Sequence, residues 1–284
     1  MANPTAGAGL GPASRMASIL TRHGAQVELA PTEGPGHATV LARQAAASGA
    51  IDTVVASGGD GTCGEVMAGL IGSPVPMAIL PAGTANVAAL SLGLPRDADA
   101  LARTLLSGPA ISFRPALANG QPFLCVASVG VDAEAVRRVS LTLKQRAGKL
   151  AYAMAGISAL TEPPPRLEVH AGGQHFEAAQ VILSRVPYYA GRFRLFPDAL
   201  PFDNRLNVLV VRAGSRLEVT RFALAAALGR QGALRGVHRF AADQAQVRAS
   251  GPVPAQVDGD FLGMTPVTFS LAPEQVRLRR PAGF

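Results

Sequence analysis

The chain is short of the residues on which several whole classes of chemistry depend. Only two cysteines occur among 284 residues, Cys63 and Cys125, and each sits in an apolar run. That excludes a disulfide scaffold and predicts two buried thiols in a reducing compartment. No CxxC or HExxH spacing is present, which argues against zinc. Tryptophan is absent and aromatics make up 5%. With no nucleic-acid motif beside them, nucleic acid is set aside as a partner. Neither GxGxxG nor a Walker A pattern occurs, so a dinucleotide fold and a P-loop are both disfavoured. No apolar run reaches transmembrane length, and no signal-peptide pattern opens the chain, so a cytoplasmic location is expected.

What is present is globular in texture. Hydrophobic residues are 48% and charged residues 16%, and the length suffices for two domains with separate cores. The net charge of +7 favours an anionic partner such as a nucleotide or a membrane surface, or serves solubility alone.

One stretch organises the rest. The apolar run Ile51–Ala56 reads as a buried strand, and Cys63–Leu70 returns its apolar residues at helical spacing. Between them lie Gly58, Gly59, Asp60, Gly61 and Thr62. Glycines there permit φ > 0 and close approach of backbone to a ligand. The following helix start offers free N–H groups and partial positive charge, which suits phosphate. Asp60 would repel phosphate unless a cation lies between, and Mg²⁺ with a nucleotide removes the conflict. The alternative is a tight turn whose Asp only caps the helix.

In order along the chain, Asn3-Pro4-Thr5-Ala6-Gly7 is a polar turn able to place N–H groups against phosphate. Only Met1 and Ala2 precede it, so the first strand is either cut off or very short. Helices are expected at Ala13–His23 and Ala38–Ala47, with a strand at Gln26–Ala30. Thr32, between them, either offers a hydroxyl to phosphate or simply ends the strand. The run Val75–Leu80 is a further buried strand ending in Pro81-Ala82-Gly83-Thr84-Ala85-Asn86. This is a second small-polar loop at a strand's C-terminal end, where ligands gather in open α/β sheets. The helix Val87–Leu92 stops at Gly93. The β-loop-α alternation through residue 113 predicts a parallel sheet.

Beyond Arg114 the texture changes. Pro122–Gly130 reads as one strand and Lys144–Leu160 as a helix. Lys144, Arg146 and Lys149 crowd the first turns of that helix against its dipole, which suits contact with anionic lipid headgroups or an ordinary solvated face. Arg137 and Arg138 would extend that patch. From Pro165 on, RLEVHA, HFEAAQVILS, RLNVLVVR, HRFAADQAQVRAS and PVTFSLA read as antiparallel strands, with a short helix at Arg221–Leu228. Near the end, Asp258-Gly259-Asp260 sets two acids in a turn. They can hold Mg²⁺ or divide the work of metal ligand and general base; an ordinary Asp-Gly hairpin is as good a reading. The last run, EQVRLRR, is a basic strand able to return to the first domain.

NPTAG, TEGPGHA, VVASGGDGTCGEVMAGL, LPAGTANVAALSLGLP, VGVDAEAVRRV, KQRAGKLAYAMAGISAL and QVDGD stand in an order that resembles the diacylglycerol kinase/sphingosine kinase catalytic family, in its bacterial soluble lipid-kinase form. That family shares its GGDG signature with NAD kinases and phosphofructokinases. The resemblance implies an N-terminal α/β nucleotide domain with a parallel sheet, residues 1–113 with 273–284 able to return to it. It implies a C-terminal antiparallel β-sandwich domain for the lipid substrate, residues 114–272, with the active site between the two. It implies transfer of the ATP γ-phosphoryl group to a lipid hydroxyl, diacylglycerol-like or sphingoid, as in phospholipid biosynthesis.

By position, the resemblance assigns ATP binding to Asn3, Thr32, Gly58, Gly59, Asp60, Gly61, Thr62, Gly64, Gly83, Thr84 and Asn86. It makes Asp260 the general base and gives Asp60 and Asp258 to the catalytic Mg²⁺–phosphate network. Three departures stand out: Gly64 where the family often has Asn, Asp260 for the usual Glu, and Asp203-Asn204-Arg205-Leu206 where a structural Mg²⁺ loop usually reads Asp-Asp-Gly-Leu. Asn204 and Leu206 are thus structural-metal ligands with one carboxylate missing and one cation added. Expected partners are the lipid and, peripherally, an anionic membrane surface; the oligomeric state stays open, a homodimer included. The rival readings are a soluble-substrate kinase of the NAD kinase branch and a non-catalytic nucleotide or lipid sensor on the same fold.

Overall fold

A computed structural model describes residues 1–138 and 163–283. The chain forms two compact units, Met1–Pro115 with Ala272–Phe284, and Ala116–Leu271.

The first unit is built on a four-stranded sheet. Its order is β1 (Val54–Gly58), β2 (Met77–Pro81), β18 (Val276–Arg279) and β3 (Ala110–Phe113). β1 and β2 run parallel from Val54 opposite Met77 to Gly58 opposite Pro81, and β18 is parallel to β2. β3 departs from the parallel expectation, pairing antiparallel with β18 at the edge. Val54, Ala56, Met77, Ala78 and Ile79 are all buried, since helices pack against the parallel strands β1 and β2.

On one side, α1 (Gly11–Arg22) and α5 (Ala98–Ser107) bring Met16, Leu20, Leu101 and Leu105 onto Ala78 and Leu80. Elsewhere α2 (His37–Ala47) packs on α3 (Asp60–Gly69). Gly69 permits this contact: a Cβ there would lie 2.5 Å from the Thr39 carbonyl oxygen and 2.6 Å from Ala42 Cβ. The short α4 (Val87–Ser91) ends before Gly93, which has φ +57°.

Gln26–Ala30 forms no regular strand. Ala2 alone bridges Pro31 on one side and Ser57 on the other, and Val27 and Leu29 stay 37% and 46% exposed. The alternation of QVELA belongs to an extended edge segment with little to pair against, so periodicity misreads it.

The second unit is a sandwich of two six-stranded sheets. In chain order it contains β4 (Ala116–Ala118), β5 (Gln121–Phe123), β6 (Val126–Gly130), α6 (Val131–Arg138), β7 (Leu167–Ala171), β8 (Gln174–Ala178), β9 (Gln180–Ser184), β10 (Tyr188–Tyr189), β11 (Phe193–Arg194), β12 (Leu206–Val211), α7 (Arg216–Ala227), β13 (Val237–Ala242), β14 (Ala245–Ala249), β15 (Pro254–Val257), β16 (Asp260–Met264) and β17 (Val267–Leu271). One sheet has the order β13-β12-β9-β6-β15-β16, the other β5-β4-β17-β14-β7-β8, and β10 pairs with β11 apart from both. Pairing within both sheets is antiparallel. Leu167, Val169, Phe123 and Phe269 of one sheet share a core with Val129, Val181, Leu183, Val208 and Val210 of the other. Phe123 and Phe269 meet edge to face at 6.5 Å, a geometry worth about 0.5–1.5 kcal/mol beyond the area it buries.

The continuous strands expected at HFEAAQVILS and HRFAADQAQVRAS are each two. The chain leaves one sheet at Ala178 or Ala242 and enters the other at Gln180 or Ala245, so apolar periodicity runs on while the strand does not. The expected helix at Arg221 begins earlier, at Arg216, because Ser215 and Glu218 form a reciprocal capping box. The helix expected at Lys144–Leu160 lies outside the described residues. Arg137 and Arg138, assigned to its basic patch, both pair with Glu134, at 2.7 and 2.6 Å.

Candidate active site

In the first unit, four chain segments end at one edge of the sheet. Thr32 N–H donates to Ala2 O at 2.9 Å, Asn3 N–H to Ser57 O at 3.0 Å, and Ala82 N–H to Gly58 O at 2.9 Å. Thr32, Asn3, Gly58–Thr62 and Ala82–Asn86 therefore lie at successive C-terminal ends of parallel segments, where open α/β sheets bind ligands. Asn3 ties two of these loops together: its Nδ2 donates to Thr62 Oγ1 at 3.1 Å, and its Oδ1 accepts from Thr5 N–H at 2.9 Å and Thr5 Oγ1 at 2.8 Å.

The glycines serve close approach and not left-handed backbone. None of Gly58, Gly59, Gly61 and Gly83 has positive φ. A Cβ on Gly83 would lie 2.4 Å from Gly59 Cα, and one on Gly58 would lie 2.6 Å from the Thr62 side chain. The two polar loops thus touch backbone to backbone. β1 passes through Gly59 into α3 at Asp60, and the first N–H groups of a helix lack partners within it.

Asp60 binds the two loops chemically. Its carboxylate oxygens accept from Val87 N–H and Ala88 N–H, both at 2.9 Å. It therefore caps α4, the helix that the PAGTAN loop begins, while its own N–H at the start of α3 also meets the carboxylate. Burial pushes its carboxyl above the ordinary range, against the pull of these amides. Asn86 also shapes the loop: its amide accepts from Gly83 N–H at 2.9 Å and donates to Gly83 O at 2.8 Å. Both ends of its side chain meet Gly83, which accounts for it without a ligand. Gly64 lies in the body of α3, past the free N–H groups of the first turn.

Glu65 escaped the sequence reading. Its carboxylate accepts from Gly36 N–H at 2.9 Å and Ala38 N–H at 3.2 Å, capping α2 from α3. The signal was negative: α2 starts after Gly36, which has no side chain to cap it.

In the second unit, Asp258 and Gly259 form the two-residue turn between β15 and β16, with φ +49° and +85°. Positive φ at both positions is the hairpin turn that Asp-Gly favours. The Asp258 carboxylate accepts three backbone N–H groups, from Leu124 at 2.6 Å, Cys125 at 2.8 Å and Val126 at 2.9 Å. This breaks the strand expected at Pro122–Gly130 into β5 and β6. It also gives Asp258 a structural duty beside the metal duty that the resemblance implies. Asp260 opens β16 as an exposed residue.

The turn is anchored from beneath. Gly259 N–H donates to Gln256 Oε1 at 2.9 Å, and Gln256 Nε2 donates to Ser128 Oγ at 2.8 Å, in the buried interior. Ser128 in turn contacts Asp132, whose carboxylate also accepts from Tyr189 Oη and Gln180 Nε2. Burial raises the Asp132 pKa more than these bonds lower it, and it raises the Tyr189 hydroxyl well above its ordinary value. The VGVDAEAVRR segment contains Asp132 and carried no assigned role in the sequence.

At the loop Asp203–Leu206, the charge comes from within. Arg185 is 0% exposed, and its guanidinium donates to the Asp203 carbonyl oxygen. Burial raises the Asp203 carboxyl, while Arg185 and Arg205 pull it down. A divalent ion beside two guanidinium groups meets repulsion, and Leu206 already begins β12. The two guanidinium groups weigh against the structural Mg²⁺ expected at Asn204 and Leu206, while Asp203 Oδ1, buried without a hydrogen-bond partner, weighs for a cation there.

Among known proteins, the family described as "Diacylglycerol kinase catalytic domain" matches residues 1–116. "YegS C-terminal NAD kinase beta sandwich-like domain" matches residues 125–280. A diacylglycerol kinase of Bacillus subtilis (strain 168) is 30% identical over 284 residues, covering 94% of this chain and 90% of its own. An uncharacterized protein of Synechocystis sp. is 28% identical over 236 residues, 80% of this chain, and the match spans 54% of that protein's length. The crystal structure of a diacylglycerol kinase from Bacillus anthracis str. Sterne shares the fold with a TM-score of 0.77 at 22% identity, covering 99% of this chain and 96% of that one. The class is that of kinases, phosphotransferases on an α/β unit followed by a β-sandwich. Within it, the chain belongs to the diacylglycerol kinase/YegS family of lipid kinases.

Proposed function

We propose that this protein transfers the γ-phosphoryl group of ATP to the hydroxyl of a diacylglycerol-like or sphingoid lipid. One observation carries the reading: the Gly59–Gly83 contact, clamped by Asp60 on the α4 amides, joins the GGDGT and PAGTAN loops into one polar cradle at the sheet's C-terminal edge. Phosphates would lie against Gly58–Thr62, Gly83 and Thr84, with Asn3 and Thr32 at the same edge.

Bound Mg²⁺ supplies charge neutralisation for phosphoryl transfer. Asp60 would hold it: its carboxylate stands where the two loops meet, accepting from the Val87 and Ala88 amides. Asp260 would accept the proton of the attacking lipid hydroxyl. That oxygen forms a bond to the γ-phosphorus as the bond to the β-phosphate oxygen breaks and ADP leaves. Asp258 supports the reading indirectly, since it holds the turn from which Asp260 projects.

The reading places the protein in the cytoplasm, peripherally attached to an anionic membrane surface. The test is transfer from γ-labelled ATP to extracted lipids, run beside NAD⁺ as acceptor. Label in the organic phase with wild type, and none with Asp60→Ala, supports the proposal. Label on NAD⁺, or on neither acceptor, contradicts it.

A further inference from the structure

The helix α7 has a solvent face that its fold does not use. Val219 and Phe222 are its buried residues, and the helix packs against β11 and the turn at Gln231–Ala233. Leu217, Leu224 and, one residue past the helix, Leu228 are 59%, 61% and 72% exposed. At 3.6 residues per turn, positions 217, 221, 224 and 228 fall in one narrow sector, opposite 219 and 222. That sector presents three leucines and Arg221. Single exposed leucines are ordinary, but an aligned set on one helix is not.

The charge around this face is predominantly positive. Between Arg212 and Arg235 the sequence holds five arginines (212, 216, 221, 230, 235) and one acid, Glu218. Glu218 caps the helix, its carboxylate accepting from Gly214 N–H at 2.8 Å and Ser215 N–H at 3.1 Å, and it offsets part of the Arg221 charge. Arg216, Arg221 and Arg230 are exposed. The adjacent β11 adds Phe193, 41% exposed. Leucines on the outer sector with arginines about them define a helix that lies in the plane of a membrane interface, apolar side down. Among the described residues no helix is long and apolar enough to cross a membrane, so such contact is peripheral.

We propose that α7 is a membrane-docking helix: Leu217, Leu224 and Leu228 enter the acyl boundary while Arg216, Arg221 and Arg230 contact anionic headgroups. This rests on the lipid-kinase reading for its purpose, since a lipid acceptor must be met at a bilayer, but its physical claim stands apart. A second copy of this chain is the competing occupant of an apolar face. The arginines favour the anionic surface, because two copies joined face to face would bring like charges together.

The test is co-sedimentation of the full chain with vesicles of phosphatidylcholine alone and of phosphatidylcholine with phosphatidylglycerol. Wild type should bind the mixed vesicles, less so as salt rises. Arg216→Gln with Arg221→Gln should weaken that binding roughly 30-fold. Leu217→Glu, Leu224→Glu and Leu228→Glu together should abolish it, while unfolding at the wild-type temperature because the three side chains are already in water. A second set, the same leucines changed to Ala, should give an intermediate loss without added charge. Wild-type binding by both leucine sets overturns the proposal. So does a concentration-dependent dimer that the Glu set dissociates, with no vesicle binding by wild type. Phosphorylation of a short-chain, detergent-dispersed lipid separates the two readings: the leucine variants should retain it. Vesicle binding without lipid phosphorylation by wild type would refute the kinase reading and leave the docking surface standing.

Discussion

Asp258→Asn isolates one charge. Asn tolerates the left-handed backbone at φ +49° about as well as Asp does, so the turn survives and only the carboxylate is lost. In the native protein, three amides converge on that carboxylate at 2.6, 2.8 and 2.9 Å. Hydrogen bonds to a charged group are worth about 1.5–3 kcal/mol each, against about 1 for neutral pairs. An Asn oxygen can keep the Cys125 and Val126 amides as neutral bonds, but its NH₂ group then faces the Leu124 amide, donor against donor. One charge-assisted bond lost and two weakened sum to at least about 2.5 kcal/mol. Urea unfolding should show this as a lower midpoint of the second unit's transition. Hydrogen exchange should show faster opening at Leu124, Cys125 and Val126. Mg·ATP affinity should be unchanged. Destabilisation under about 0.5 kcal/mol, or lost Mg·ATP affinity with stability intact, would refute the structural assignment and return Asp258 to the metal.

Three further outcomes follow from the geometry. Gly83→Ala must push the two loops apart, because the new Cβ would lie 2.4 Å from Gly59 Cα; titration calorimetry should show ATP affinity falling by roughly tenfold or more, for overpacking worth about 1–3 kcal/mol. Asp132 has its folded pKa raised by burial, so its contribution to stability is full below the unfolded value of about 3.9 and is lost as pH rises through the folded value. Asp132→Asn lacks this titration, and the melting temperature of wild type relative to the variant should therefore fall as pH climbs from about 4; parallel curves would contradict the raised Asp132 pKa. A crystal grown with Mg²⁺ should show no ion on Asn204 or the Leu206 carbonyl, and a coordinated ion there would overturn the role given to Arg185.

The parts legible in the sequence were those set by neighbours in the chain. An apolar run before Gly58 and helical spacing after Asp60 sufficed for strand, turn and helix, and Asp258-Gly259 announced its own hairpin. The loops at Asn3, Gly58 and Gly83 were each visible singly, because small polar residues follow apolar strands. What Asp60, Glu65 and Asp258 do was not legible, since each carboxylate reaches amides far away in sequence and nothing local records the partner. Arg185 is the sharpest case: a cation in an apolar strand end gives no sign that it will be buried beside Asp203. Where alternation misled, at Gln26–Ala30 and across Ala179, the pattern was real, but pairing at an edge or a passage between sheets decided the structure.

Under the proposed function, Asp260 takes the proton of a lipid hydroxyl while the loops of the first unit hold ATP. Single-turnover transfer of label from γ-labelled ATP to lipid, at saturating nucleotide, tests it most directly in wild type and Asp260→Asn. Loss of a general base should slow transfer by ~10²–10⁴-fold with ATP affinity unchanged. Equal transfer rates in the two proteins, or a loss of ATP affinity that explains the whole defect, would rule out Asp260 as the base.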